Sequence, residues 1–422
     1  MAGTVAVKTK SKKIWGLHPN VFFLGLTSLL TDISSEMTFT LVPLFLANVL
    51  GTKTAIIGLI GGLSDSTEAV LKIFSGRLSD KLHRPKLLTV CGYSLATIAK
   101  PFMYLATSWG TITAIRLTDR VGKGIRVAPR DALIADSSQA EEMGRSFGLR
   151  QAMDTTGAVL GLALAAVIIY AVQGGGLQLS WESYRWLVLG GIIPAVLAVI
   201  VLLIFVQEKE RRHSPTPIKS GQERVLPSRS QAPFDTRFKL FLVIIAIFTL
   251  GKFSDFFIIL RAQHLNVPLM QIVMMLALFN ITYALTALPM GILSDKVGRK
   301  RLIILGWSVY ALIYLGFALA SNIWQIWLLF AGYGLYYGAF EGVGKAFVAD
   351  LVPEERRGTA YGLYNGVTSL ALLPASLIAG WLWGASNPAT PFYFGAVVAF
   401  LAMFGIMMLV KEPSHPVRTG RG

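Results

Sequence analysis

Long apolar runs separated by short polar stretches recur twelve times along the chain, over 19–47, 54–78, 86–107, 110–131, 145–172, 185–206, 238–260, 268–293, 301–320, 323–349, 358–382 and 390–410. About 20 apolar residues let a helix cross the hydrocarbon of a bilayer. With no water there, a helix satisfies its own backbone groups. The pattern predicts an all-α membrane protein of 12 transmembrane helices. Residues 207–237 divide the first six from the last six; they are charged, carry Pro215, Pro217, Pro227 and Pro233, and read as a cytoplasmic linker. The predicted organisation is a tail (1–18), a six-helix bundle (19–206), the linker (207–237), a second six-helix bundle (238–410) and a tail (411–422).

The two bundles repeat one another. Gly76-Arg-Leu-Ser-Asp80-Lys returns as Gly291-Ile-Leu-Ser-Asp295-Lys, the aspartates 215 residues apart. Ala132-Leu-Ile-Ala-Asp136 returns as Ala346-Phe-Val-Ala-Asp350, 214 residues on. Two equal halves in one orientation describe duplication, with a site expected between the halves. Small residues recur at helical spacing, with Gly157 and Gly161 on the fifth span and Gly334, Gly338 and Gly342 on the tenth. Gly at every fourth position lets neighbouring backbones approach closely.

Ionisable residues inside the spans are unevenly placed. Asp32 and Glu36 lie on the first span, Asp65, Glu68 and Lys72 on the second, and Arg116, Asp119, Arg120, Lys123 and Arg126 on the fourth. Lys252 and Asp255 lie on the seventh span, Glu341 and Lys345 on the tenth. A charge at mid-bilayer costs about 2.5–3.5 kcal/mol, so even ten of these fourteen left unpaired would cost on the order of 25–35 kcal/mol, more than any net folding stability. They must pair or face water, which implies a polar interior lined by those helices. Asp32 and Glu36, four apart, share a helix face. Burial favours a neutral carboxylate and a nearby guanidinium favours a charged one. A carboxylate balanced between the two exchanges protons, and Asp32, Glu36, Asp65 and Glu68, with Arg120 tuning them, are the coupling candidates. The alternative is a static ion-pair network.

Composition removes other classes. Only 15% of residues are charged and 54% are hydrophobic, against roughly 25% charged in soluble domains. Cys91 is the single cysteine, and the five histidines fall in predicted loops or helix ends. Neither a disulfide framework, a metal site nor a cofactor is therefore expected. The net charge of +16 is not a nucleic-acid signature, because the bases collect in alternate loops. Loops 106–110, 172–180, 319–323 and 383–391 are almost free of Lys and Arg, so both termini are expected in the cytoplasm. The first apolar run is too long for a cleavable signal and has no small-residue cleavage site.

With these residues in place, the chain resembles the major facilitator superfamily over nearly its whole length. The family's loop signature is matched by Gly291-Ile-Leu-Ser-Asp295-Lys-Val-Gly298-Arg299-Lys300; the first copy, Gly76-Arg-Leu-Ser-Asp80-Lys-Leu-His83-Arg84, has His83 in place of the second glycine. The resemblance implies that these loops act as a cytoplasmic latch, with Gly76, Asp80, Arg84, Gly291, Asp295 and Arg299 as gating residues. Arg120-Val-Gly-Lys-Gly124 resembles the family's fourth-helix motif, whose arginine is implicated in proton transfer. Gly148, Gly157 and Gly161 resemble the fifth-helix motif of proton-exchanging exporters, although Leu162 stands where a proline is expected. In this family helices one, four, seven and ten line the cavity. That makes Arg116, Asp119, Lys252, Asp255, Tyr336, Glu341 and Lys345 substrate-cavity candidates, with Tyr333 and Tyr337 as neighbouring aromatic surface. Gly124, Gly157, Gly161 and Gly338 are expected at helix contacts.

The resulting expectation is a multi-pass transporter of the inner (plasma) membrane, monomeric and not an enzyme. It would move a small organic, anion-tolerant solute by proton-coupled alternating access. No nucleotide-binding loop is present to supply ATP energy. Export is the expected direction, and proton-coupled uptake of an organic acid is the alternative.

Overall fold

The computed structural model describes residues 13–82, 84–138, 142–174, 176–208, 234–352 and 357–410. Among them the chain forms fourteen α-helices and one 3₁₀ turn. In order these are α1 (Pro19–Phe39), α2 (Val42–Asn48), α3 (Thr54–Leu82), α4 (Pro85–Ala99), the 3₁₀ turn Lys100–Leu105, α5 (Trp109–Ser137), α6 (Met143–Gln173) and α7 (Trp181–Phe205). Then come α8 (Thr236–Gly251), α9 (Phe256–His264), α10 (Leu269–Val297), α11 (Arg299–Leu319), α12 (Ile323–Leu351), α13 (Arg357–Ala385) and α14 (Thr390–Leu409).

The helices follow the apolar runs, and their ends follow capping chemistry. Ser108 and Ser180 accept from the backbone N–H groups of Thr111 and Ser183 at the starts of α5 and α7. Asn322 and Gln325 form a reciprocal capping box at α12. Between α10 and α11 the chain turns at Gly298, with φ +103, a conformation that residues with a β-carbon rarely adopt. This is the signature's second glycine. Its counterpart His83 lies outside the described residues.

Two of the runs are not continuous helices. The first breaks at Thr40 and Leu41, before Pro43 opens α2, because proline needs no N–H partner in a first turn. The seventh breaks at 252–255, between α8 and α9. Of the latch residues, Gly76 and Asp80 lie in the last turns of α3, and Gly291 and Asp295 in those of α10. The side chains of those four lie outside the described residues.

Among the described residues, eight segments, counting α1–α2 and α8–α9 as one each, are long and apolar enough to cross a membrane. Those outside that set are α3, α4, α5 and α12; ionisable residues cross α3, α5 and α12, and Lys100 follows α4 directly. On α7, Leu187, Ala198 and Leu202 are buried while Ile193, Leu197, Ile200 and Ile204 are exposed. A helix apolar on its exposed face as well as its buried one suits lipid.

The chain divides into two compact units. One contains α1, α2, α3 from Leu71, α4 to α7 and Pro268–Asn280 at the start of α10. The other contains Thr52–Val70, α8, α9, α10 from Ile281 and α11 to α14. In the first, α1 packs along α6 and α7, and α4 along α5. The glycines explain how closely. A β-carbon on Gly157 would lie 2.5 Å from the Leu29 carbonyl oxygen, and one on Gly161 2.7 Å from that of Ile33. Gly92 and Gly122 meet similarly, each 2.5 and 2.6 Å from the other's carbonyl oxygen by the same construction. Gly124 is buried on α5 and Gly338 on α12. Gly148 has nothing within 4 Å.

In the second unit, α11 packs on α12 and α14 around stacked rings. Phe248 and Trp307 are 4.4 Å apart and Tyr310 and Tyr314 4.1 Å. The buried Arg261 closes the end of α11, donating to the carbonyls of Phe317, Ala318 and Ala320 at 3.0, 3.1 and 3.3 Å. Those carbonyls are orphans of a helix terminus, where a cation also meets the favourable end of the dipole. Arg261→Met is expected to cost about 2–4 kcal/mol, read as a lowered thermal midpoint in detergent. An unchanged midpoint would mean that water serves those carbonyls equally well.

Candidate functional site

The first unit contains a polar chamber of about 230 Å³, with Val127 the only aliphatic residue among the described residues of its lining. Asp32, from the middle of α1, faces it together with Lys72 of α3 and Lys123 and Arg126 of α5. One turn further along α5, Arg130 donates to Ser28 Oγ at 3.0 Å and to the carboxylate of its neighbour Asp131 at 3.1 Å. Ser28 in turn lies 3.3 Å from the Tyr93 hydroxyl. From α6 comes the ion pair of Arg150 and Asp154, 2.8 Å apart and one turn from each other. The guanidinium of Arg126 lies 4.4 Å from the Tyr93 ring centre, a cation–π contact. Among the described residues, five basic and three acidic groups thus share one small space.

A second polar cluster surrounds the α1–α2 break. Lys100, 1% exposed, donates to Ser34 Oγ at 2.6 Å and Ser35 Oγ at 3.2 Å. Arg116 and Asp119 are both buried, Arg116 lying 5.0 Å from the Phe39 ring centre. Arg120 Nε is 3.8 Å from an Asp119 oxygen. Glu36 accepts from the Thr40 hydroxyl, and its β-carbon lies beside Gly161.

The sequence-derived candidates therefore separate. Asp32 faces the chamber; Glu36, Arg116, Asp119 and Arg120 do not line it. Asp65 and Glu68, on the same helix as Lys72, belong to the other compact unit, where Glu68 is buried. Conversely, Lys100, Arg130, Arg150 and Asp154 are absent from the sequence-derived set. An ionisable residue inside an apolar run marks function, and that rule applies to Lys100 and Asp154 as well as to Asp32.

In the second unit the break at 252–255 carries its own polar group. Asp255 accepts from the hydroxyls of Tyr333 at 2.6 Å and Tyr337 at 3.3 Å. Lys252 Nζ lies 4.5 Å from the Tyr337 ring centre and 5.8 Å from that of Tyr336. Glu341 and Lys345 fall on α12, their side chains outside the described residues. Of the latch residues, Arg299 donates to the Ala346 carbonyl at 2.8 Å and to Asp350 at 2.7 Å, while Arg84 stands exposed ahead of α4. Asp350 lies in the second copy of the Ala-x-x-Ala-Asp repeat, so the two repeated motifs of this half join at that ion pair.

Comparison with known proteins adds the following. The Major Facilitator Superfamily profile matches residues 24–260 and 240–422. The uncharacterised MFS-type transporter MJ1317 of Methanocaldococcus jannaschii is 39% identical over 401 residues, covering 93% of this chain and 95% of its own. The quinolone resistance protein NorA of Staphylococcus aureus is 23% identical over 417 residues, covering 96% and 97%. Among solved structures, a mutant of the nucleoside transporter NupG has a TM-score of 0.72 at 15% identity, covering 93% of this chain and 100% of that one. A D-xylose–proton symporter has a TM-score of 0.70 at 16% identity, covering 93% and 98%. At such identities the structural likeness speaks for the fold alone.

Proposed function

Because the chain belongs to the Major Facilitator Superfamily, a family of multi-pass membrane transporters, we propose that it is a proton-coupled secondary transporter of a small organic solute that tolerates negative charge. Asp32 carries the proton. The observation behind this reading is the chamber, in which that carboxylate shares a small polar space with Lys72, Lys123 and Arg126. Such a group is expensive to keep among apolar helices unless it serves a pathway. The two bundles 19–206 and 238–410 act as the moving parts of alternating access. The protein works as a monomer in the cell membrane with both termini in the cytoplasm.

Uptake with protons is the direction the chamber's charge supports best, since five basic groups against three acidic ones suit an incoming anion. Export by proton exchange is the second reading, favoured by the likeness to a quinolone resistance protein. Oriented vesicles separate the two. With a solute identified by a thermal-shift screen, right-side-out vesicles in acid medium should accumulate it for uptake. Accumulation in inside-out vesicles with an acid interior would reverse the direction. Binding without flux in either would remove the transport reading.

A further inference from the structure

We propose that the chamber of the first compact unit holds the anionic group of the solute at Arg126, and holds it together with a proton on Asp32, so that a small organic acid anion and a proton travel as a pair. The pairing rests on Asp32 as the proton carrier argued above; the anion site at Arg126 does not.

Arg126 is 4% exposed, and its Nε and Nη1 atoms make no hydrogen bond. An unmade bond on a buried charged group is costly, and Arg126 is one of the residues that line the polar chamber. Its face is already occupied by the Tyr93 ring, which leaves in-plane N–H groups to recognise an occupant. Oxygens of a carboxylate, phosphonate or sulfonate suit such donors best. The neighbouring arginines are differently engaged, Arg130 with Asp131 and Arg150 with Asp154. At about 30 Å³ per water, the chamber has room for roughly seven waters or a solute of about ten heavy atoms. That is the scale of a small metabolite.

The coupling follows from charge. Asp32 lies within electrostatic reach of Asp154 on α6, Lys123 and Arg126 on α5, and Glu36 on its own helix. Lys72 of α3 and Tyr93 of α4 complete the wall. The charged residues of α7, Glu182 and Arg185, sit in its first turns, Arg185 stacked over Tyr104 and Trp181. An anion at Arg126 meets the like charge of an ionised Asp32, and a proton on Asp32 removes it. Each ligand therefore favours the other, and by reciprocity to the same degree. A cationic solute would instead compete with the proton and run as an exchange.

Benzenesulfonate tests this, being small and ionised at every working pH, so that any proton taken up belongs to the protein. The full-length protein in weakly buffered detergent solution near neutrality should bind benzenesulfonate more tightly than the neutral benzenesulfonamide. It should take up about one proton per anion at most, and measurably more than none. Arg126→Gln should weaken binding by about tenfold or more, with Arg126→Lys restoring part of it. A thermal midpoint near wild type keeps the comparison on folded protein. Asp32→Asn should bind the anion without proton uptake. Equal affinity for the sulfonamide, undiminished binding by Arg126→Gln, or no anion binding at millimolar concentration would overturn the site. Proton release, or none taken up, in wild type would overturn the pairing and leave Asp32 as a carrier. PH-driven flux surviving in Asp32→Asn would instead overturn the carrier reading itself, with anion binding at Arg126 still standing.

Discussion

Replacing Asp32 by Asn is expected to abolish solute flux driven by a pH gradient, by a factor of about 100 or more, while exchange of solute at equal pH persists. Asparagine keeps the size and the hydrogen-bonding oxygen of the protonated acid but cannot release a proton. The fold should tolerate the change. The carboxylate is only partly buried and faces the chamber, not a packed apolar core. The matched control is Glu36→Gln. Glu36 is held by Thr40 and packed beside Gly161, outside the chamber lining, so its loss should reduce flux without uncoupling it. Both variants are read in proteoliposomes, with and without an imposed gradient. Equal gradient-driven flux in wild type and Asp32→Asn removes Asp32 from the coupling step. Uncoupling by Glu36→Gln alone transfers that role one turn along α1.

The largest effect on stability is expected within α6, from two glycines that differ only in what lies opposite them. Gly157→Ala would place its methyl 2.5 Å from the Leu29 carbonyl oxygen and 3.0 Å from the Leu29 α-carbon. Both are backbone atoms of α1, so no side chain can rotate away. Alanine gains up to about 1 kcal/mol of helix propensity over glycine. Forcing two packed helices apart costs about 1–3 kcal/mol and more where backbone must move, so the overlap wins. Gly157→Leu should go further and yield little folded protein. Gly148→Ala, with nothing within 4 Å, keeps the propensity gain and should raise the thermal midpoint or leave it unchanged. Stabilisation by Gly157→Ala would show that α1 and α6 are not in backbone contact, and the chamber built across them would have to be redrawn.

How far the chamber could be read in advance differs by residue. Asp32 and Glu36 stand out equally in an apolar run, and four residues apart they share a face. Yet four residues advance a helix by more than one full turn, leaving about 40° between the two side chains. That rotation is enough for Asp32 to enter the chamber and Glu36 to meet Thr40. Arg116, Arg120, Lys123 and Arg126 of α5 were visible too, but Arg130 was not, nor were the partners of any of them. Arg130 is occupied by Ser28 and Asp131, while Arg126 rests on Tyr93. Such pairings depend on the rotation and depth of neighbouring helices. The helix breaks were hidden for another reason. Each is a few residues long inside an apolar run, so average hydropathy passes over it; only Pro43 and the Gly251-Lys252 pair mark the spots.

From sequence alone came the twelve apolar segments, their duplication, the family and the identity of most charges inside the membrane, because hydropathy and repeated motifs are properties of the chain read in order. Tertiary structure decided which charges meet. Helix rotation and glycine-permitted close packing bring residues from α1, α3, α4, α5 and α6 around one space, and distances of that kind are set by how helices pack.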